Sequence, residues 1–253
     1  MTSVVTNDLR TLLFNQMIQD VEGDSATYYV GISRAESYTP DANAGPRAEQ
    51  FKFRNALQAV KVLSNVSFVV PTVEWQNNGI YNAYTDKDPN QSNFYVVNSI
   101  NEVFICVESP NTVSTVEPTA ALANNDAKTF ATGDGYLWRY MYKMTNLDFS
   151  NFKTRSYMPV KKVSGNPTIA QEIDQLALQN NSVDGEILGF TIDSAGTTYP
   201  GGSATLTISG NPTSPADFSV SISGGGIESI NLETDSAGDY MHGAGYDAAS
   251  AEV

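Results

Sequence analysis

Thr132-Gly133-Asp134-Gly135-Tyr136-Leu137-Trp138-Arg139-Tyr140-Met141-Tyr142-Lys143-Met144 is the stretch on which the reading of the fold turns. Gly133-Asp134-Gly135 supplies the positive backbone dihedrals of a tight turn, and the residues after it alternate with period two, so the segment predicts a turn feeding a β-strand. One face of that strand carries Tyr136, Trp138, Tyr140, Tyr142 and Met144, and the other Leu137, Arg139, Met141 and Lys143. The aromatic face must be covered. It is either the core side of a β-rich domain or a surface that meets a partner.

Outward from this strand the elements alternate between helix and sheet. On its N-terminal side, Asn93 to Asn98 and Glu102 to Glu108 predict two strands of a hairpin, and Asn111 to Ala131, polar and punctuated by proline and asparagine, predicts a long surface loop. Farther back, Leu9, Leu13, Met17 and Val21 repeat at helical spacing and predict a helix over Asn7 to Val21, followed by an aromatic strand from Tyr28 to Ser33. A second helix is expected from about Pro46, with Phe53, Leu57 and Val60 on one side and Ala56 and Ala59 available for close packing. Val66 to Val70 runs into Pro71, which ends a strand or sets it at a sheet edge. Trp75, Tyr81 and Tyr84 then fall in a polar loop, where aromatic residues serve either packing or an interface.

Four of these features in order carry a resemblance. The N-terminal helix, Tyr28-Tyr-Val-Gly-Ile-Ser-Arg34, Val69-Val-Pro-x-x-x-Trp75 and Gly133-Asp-Gly-Tyr-Leu-Trp-Arg-Tyr140 together resemble the T4-type phage baseplate wedge subunit, the dimeric wedge protein of contractile tails. The resemblance covers about residues 1–163. It implies a virion structural protein of the tail baseplate, assembled in the host cytoplasm as a homodimer within each wedge and touching other wedge proteins. Candidate interface residues are Arg34, Trp75, Tyr81, Tyr84, Tyr136, Trp138 and Tyr140. An alternative reading is a carbohydrate-binding tail module that reads the host surface with Trp75, Tyr81 and Tyr84.

Beyond Val163 the character changes. The chain of 253 residues has a net charge of −14, of which residues 1–163 contribute −2 and residues 164–253, with 12 acidic residues and no lysine or arginine, contribute −12. Such a surface does not fit nucleic acid, which needs clustered cations. Ser164 to Pro167 reads as a linker, and Ile169, Ile173, Leu176 and Ala177 support a short helix. From Gly185 a Gly/Ser/Thr-rich pattern repeats: Leu188-x-Phe190-x-Ile192-Asp-Ser-Ala-Gly196 with Tyr199 returns as Ile230-x-Leu232-x-Thr234-Asp-Ser-Ala-Gly238 with Tyr240. The second copy stops at Ala251-Glu-Val253, where the first begins its returning strand at Ala204, so a strand stub with an open edge is expected, from a truncated chain or from a sheet that a partner completes.

The chemistry of known catalytic sets is thin. The one histidine, His242, lies in a glycine-rich loop without a nucleophile motif, the one cysteine, Cys106, reads as a small core residue, and no P-loop, dinucleotide or EF-hand pattern occurs. Asp193, Asp235 and Asp239 in the repeat turns offer the oxygen ligands that calcium takes. No apolar run reaches membrane-spanning length, and the N-terminus has no signal-peptide pattern. The expectation is therefore an α+β, predominantly β protein. Residues 1–163 form an aromatic-rich antiparallel β domain with two or three helices, 164–184 a linker and short helix, and 185–253 an acidic Gly/Ser-rich all-β repeat domain. It is expected to be no enzyme, with no catalytic residues, cofactor or metal, and its partners are a second copy and other wedge proteins rather than nucleic acid, membrane or a small-molecule substrate.

Overall fold

Packing divides the chain at Phe68/Val69 into two units, Met1–Phe68 and Val69–Val253. The structure, a computed structural model, describes residues 7–23, 27–33, 46–63, 65–85, 93–120, 129–190, 192, 194–200, 202–204, 206–247 and 250–252. Helices and several antiparallel sheets make it α+β with much β.

In the first unit, α1 (Asn7–Glu22) follows the apolar stripe read from the sequence, and β1 (Tyr29–Ser33) follows the aromatic run. The second helix, α2 (Pro46–Ala56), is shorter than expected. Leu57, Ala59 and Val60, assigned to it by spacing, instead belong to β2 (Leu57–Val62), which pairs antiparallel with β1, Tyr29 opposite Val62 and Gly31 opposite Val60. Val60 and Val62 are β-branched and stiff at χ1, so the ladder offered by β1 outweighs a helical spacing. A Cβ on Gly31 would stand 2.7 Å from Leu57 Cδ2 and 3.6 Å from the Phe53 ring, so the bare glycine lets both side chains lie against β1.

The second unit runs β3 (Phe68–Pro71), β4 (Tyr95–Val97), β5 (Glu102–Glu108), β6 (Thr129–Ala131), β7 (Leu137–Lys143), α3 (Asn146–Phe152), β8 (Tyr157–Val160) and α4 (Ala170–Asn180). Its centre is a four-stranded antiparallel sheet in the order β4-β5-β7-β6. The hairpin β4–β5 matches the expected strands, and β7 follows its alternation in part: Trp138 and Tyr140 are buried and Met141 is exposed, but Leu137, expected on the outer face, is buried too. Phe104 stands opposite Tyr140, and Cys106 opposite Trp138. Phe104, Cys106, Trp138 and Tyr140 join Val96, Phe130 and Leu178 of α4 in one cluster, while Val97, Val103, Met144 and Met158 form a second. β3 and β8 pair with each other, with Pro71 at the end of its strand.

Two expectations change here. Asn111 to Ala131 is not a surface loop throughout: Thr129–Ala131 form β6, Ser114 and Pro118 are fully buried, and residues 121–128 lie outside the described residues. Its polar groups find partners inside; Asn98 Nδ2 donates to Pro118 O at 3.0 Å, and the Ala120 N–H donates to Glu102 Oε2 at 3.0 Å. The buried face of α4 is also not the aliphatic stripe. Ile169 and Ile173 are exposed, whereas Gln175 and Leu178 are inside. Gln175 Nε2 donates to Lys161 O at 2.6 Å, and Gln179 accepts from Val163 N–H and donates to Val163 O, so two amides supply the pairing that this extended backbone lacks.

Residues 164–253 pack in the same unit as the aromatic sheet. They add β9 (Gly202–Ala204), β10 (Thr207–Ser209), β11 (Phe218–Ser223), β12 (Gly226–Leu232) and β13 (Ser250–Glu252). β11 and β12 form a hairpin closed by Gly224-Gly225, both at positive φ (61° and 83°), the demand of a two-residue primed turn. The second repeat forms the expected Asp-Ser-Ala-Gly turn, with Asp235 Oδ1 accepting from the N–H groups of Ala237 (2.8 Å) and Asp239 (3.0 Å). The expected stub is not left open: β13 pairs antiparallel with β10, Ile208 opposite Ala251, so the matching pieces of the two repeats meet each other.

Candidate functional site

Trp75, Tyr81, Tyr136, Trp138 and Tyr140 come together in one cluster, mostly inside the molecule, whereas Tyr84 meets Phe94 edge-on at 5.2 Å. Tyr136 and Trp138 are fully buried, Tyr81 and Tyr140 nearly so, and Trp75 and Tyr84 are half-buried; Arg34 lies outside the described residues. Tyr136 stacks on Trp138 at 5.4 Å between ring centroids, and Tyr81 meets Trp138 edge-on at 5.7 Å. Each such pair stabilises the core by about 0.5–1.5 kcal/mol beyond its area. A ring that reads a sugar needs an open face. Tyr81 has none, since Tyr136 and Trp138 enclose it.

The turn before β7 organises its surroundings through one carboxylate. Asp134 Oδ2 accepts from Ser114 Oγ (2.9 Å), Thr115 N–H (2.7 Å) and Val116 N–H (2.9 Å), and Oδ1 accepts from Thr132 Oγ1. Burial opposes the charge, but the hydrogen bonds from Thr132, Val116, Thr115 and Ser114 outweigh it and hold the carboxyl below the usual range. Trp75 Nε1 donates to the same Ser114 Oγ at 3.1 Å. Tyr136 Oη donates to Thr112 O at 2.6 Å and accepts from the Tyr81 N–H at 3.2 Å. Gly135 is at φ 87°, a turn position that suits glycine. Residues 75, 81, 112–116 and 134–136 are thus one cross-linked constellation.

A second cluster was not legible in the sequence. Arg139, on the face of β7 away from Trp138, forms a 2.7 Å ion pair with Glu186, and His242 lies 3.9 Å from the other oxygen of Glu186. His242 Nδ1 faces Ile187 O at 2.8 Å, an oxygen that can only accept, so Nδ1 carries the proton. Neutral Nε2 then accepts from Thr129 Oγ1 at 2.9 Å. Burial lowers the His242 pKa most, helped by Arg139 and opposed by the Ile187 carbonyl and Glu186. Both ring nitrogens are occupied, so the imidazole acts as a cross-link between β6 and the 241–246 loop rather than as a free base. A cavity of about 510 Å³ beside it is lined by Asn181, Val183, Ser214, Asp239, Tyr240 and Met241. Glu186 and Thr129 carried no motif; His242 was visible only as a lone histidine.

Among the described residues no three His, Cys, Asp or Glu side chains gather as a metal site, and Asp193, one of the possible calcium ligands, lies outside them. No helix among them is long and apolar enough to cross a membrane. Comparisons of the chain with known protein families, curated proteins and solved structures find no match.

Proposed function

We propose that this chain is a structural component of a contractile phage tail baseplate, a homodimer within each wedge that bridges neighbouring wedge proteins. One observation carries the reading. The Val69-Val-Pro-x-x-x-Trp75 and Gly133-Asp-Gly-Tyr136 motifs, about sixty positions apart, are joined through Ser114, which accepts from Trp75 and donates to Asp134. Scattered motif residues that form one physical constellation support a resemblance of fold rather than of isolated words.

The role is to present surfaces, not to turn over a substrate. The aromatic sheet is a rigid core, and the loops that it braces around Gln76 to Asn82 and Asn111 to Thr119 meet other wedge proteins. Residues 185–253 act as an acidic, Gly/Ser-rich β-repeat domain that faces outward, where its charge favours basic partners and disfavours wrong ones. Antibodies raised against the chain are expected to label the baseplate end of contractile-tailed particles. Label on the capsid, or none on purified particles, overturns the reading.

A further inference from the structure

We infer that the first unit, rather than the aromatic strand, is the face through which two copies of this chain associate. The inference rests on the homodimer reading above and assigns its surface. All five residues of β1 are exposed, as are all of β2 except the half-buried Leu57. The register sets Tyr29, Val60 and Val62 on one face of this ribbon and Val30, Ile32 and Ala59 on the other, so apolar side chains stand open on both. A two-stranded ribbon in that condition is marginally stable at best and needs a cover. On α1, Leu12, Leu13 and Phe14 are each more than half exposed.

Size and charge point to a second copy as the cover. Among the described residues of 1–68, fourteen large apolar side chains are exposed. At roughly 100 Å² apiece they total on the order of 1,000 Å² over the two helices and both faces of the ribbon, so a contact that covers most of them reaches the ~800 Å² per partner of a standard interface. Residues 1–68 hold seven acidic and six basic residues, a net of −1, while residues 69–253 hold 21 and 8, a net of −13. Copies that meet through the first unit bring little like charge together, whereas contact through the remainder opposes strong repulsion. A two-fold interface also lets one apolar surface meet itself.

The test is the solution mass of the full chain by light scattering over concentration and salt, for the wild type and for Leu13→Lys and Ile32→Lys. The expected result is a salt-resistant dimer of twice 27.3 kDa for the wild type, and a dimer Kd raised at least about 30-fold in each variant, the size of a hot-spot loss. Both tryptophans, Trp75 and Trp138, lie in the second unit, so unchanged indole fluorescence shows that unit intact. Dimers that persist in both variants overturn this face but leave the homodimer. A wild type monomeric at every concentration overturns the homodimer and the face with it. A variant that loses its first-unit fold is bypassed by Lys61→Cys in the otherwise unaltered chain, because Cys106 is buried. Rapid oxidative cross-linking at position 61 supports the face; cross-linking at Met141→Cys and none at 61 overturns it.

Discussion

Arg139 of β7 and Glu186, 47 positions later, meet at 2.7 Å with 12% of each side chain exposed. The basic residue comes from the nearly neutral part of the chain and the acid from the part with no basic residue at all. A charge boundary in the sequence is therefore spanned by an ion pair inside one packed unit.

Removing one partner of that pair leaves the other charge enclosed. Arg139→Met is expected to destabilise the second unit by about 3 kcal/mol, and Arg139→Met with Glu186→Leu by clearly less, because the double variant leaves no uncompensated charge. Urea unfolding followed by tryptophan fluorescence measures both. A double variant as unstable as the sum of the singles would show that the pair does not couple.

His242 makes stability depend on mild acid. Its pKa is lowered from 6.5 in the folded chain, so as pH falls below 6.5 the unfolded state binds the proton first. The contribution is full above 6.5 and is lost as pH falls through the folded value. His242→Asn is expected to be less stable at pH 7.5 and to show a flatter stability profile below 6.5. Glu186 and Arg139 both face the imidazole, so the profile of Glu186→Gln should start its decline at the same pH but fall more steeply. Unfolding midpoints between pH 5 and 8 read this out.

Asp134→Asn removes a charged acceptor from four hydrogen bonds. A loss of about 2 kcal/mol is expected, in the range for hydrogen bonds to charged groups. Because the folded pKa lies below 3.8, the wild-type advantage is present above that pH and disappears as pH falls through the folded value. Faster amide exchange at Thr115 and Val116 in the variant would locate the effect.

Cys106 is fully buried opposite Trp138, and burial pushes its thiol far up. In native buffer at pH 8 a thiol reagent should label it only as fast as the second unit opens, and within seconds in denaturant. Fast native labelling would contradict its place in the core.

Local pattern carried α1, β1, the β4–β5 hairpin and part of the alternation of β7: α1 repeats its apolar residues at helical spacing, β1 and the hairpin strands pair with their neighbours, and β7 buries Trp138 and Tyr140 while Met141 stays exposed. The turn at Gly133-Asp134-Gly135 was legible in the same way, and the helix over Ala170–Asn180 was found although its inward face was not. What tertiary contact decided lay between segments. Leu57 to Val62 became strand because β1 was there to pair with them. Ser114 and Pro118 went inside because Asp134 and Asn98 met their polar groups. Gln175 replaced Ile173 on the buried face because Lys161 offered an unpaired carbonyl. The repeats announced themselves in the sequence, but the pairing of β10 with β13 and the joining of Arg139, Glu186, His242 and Thr129 did not. A hydrogen bond or ion pair between distant residues leaves no period in either segment, so only the folded chain defines it.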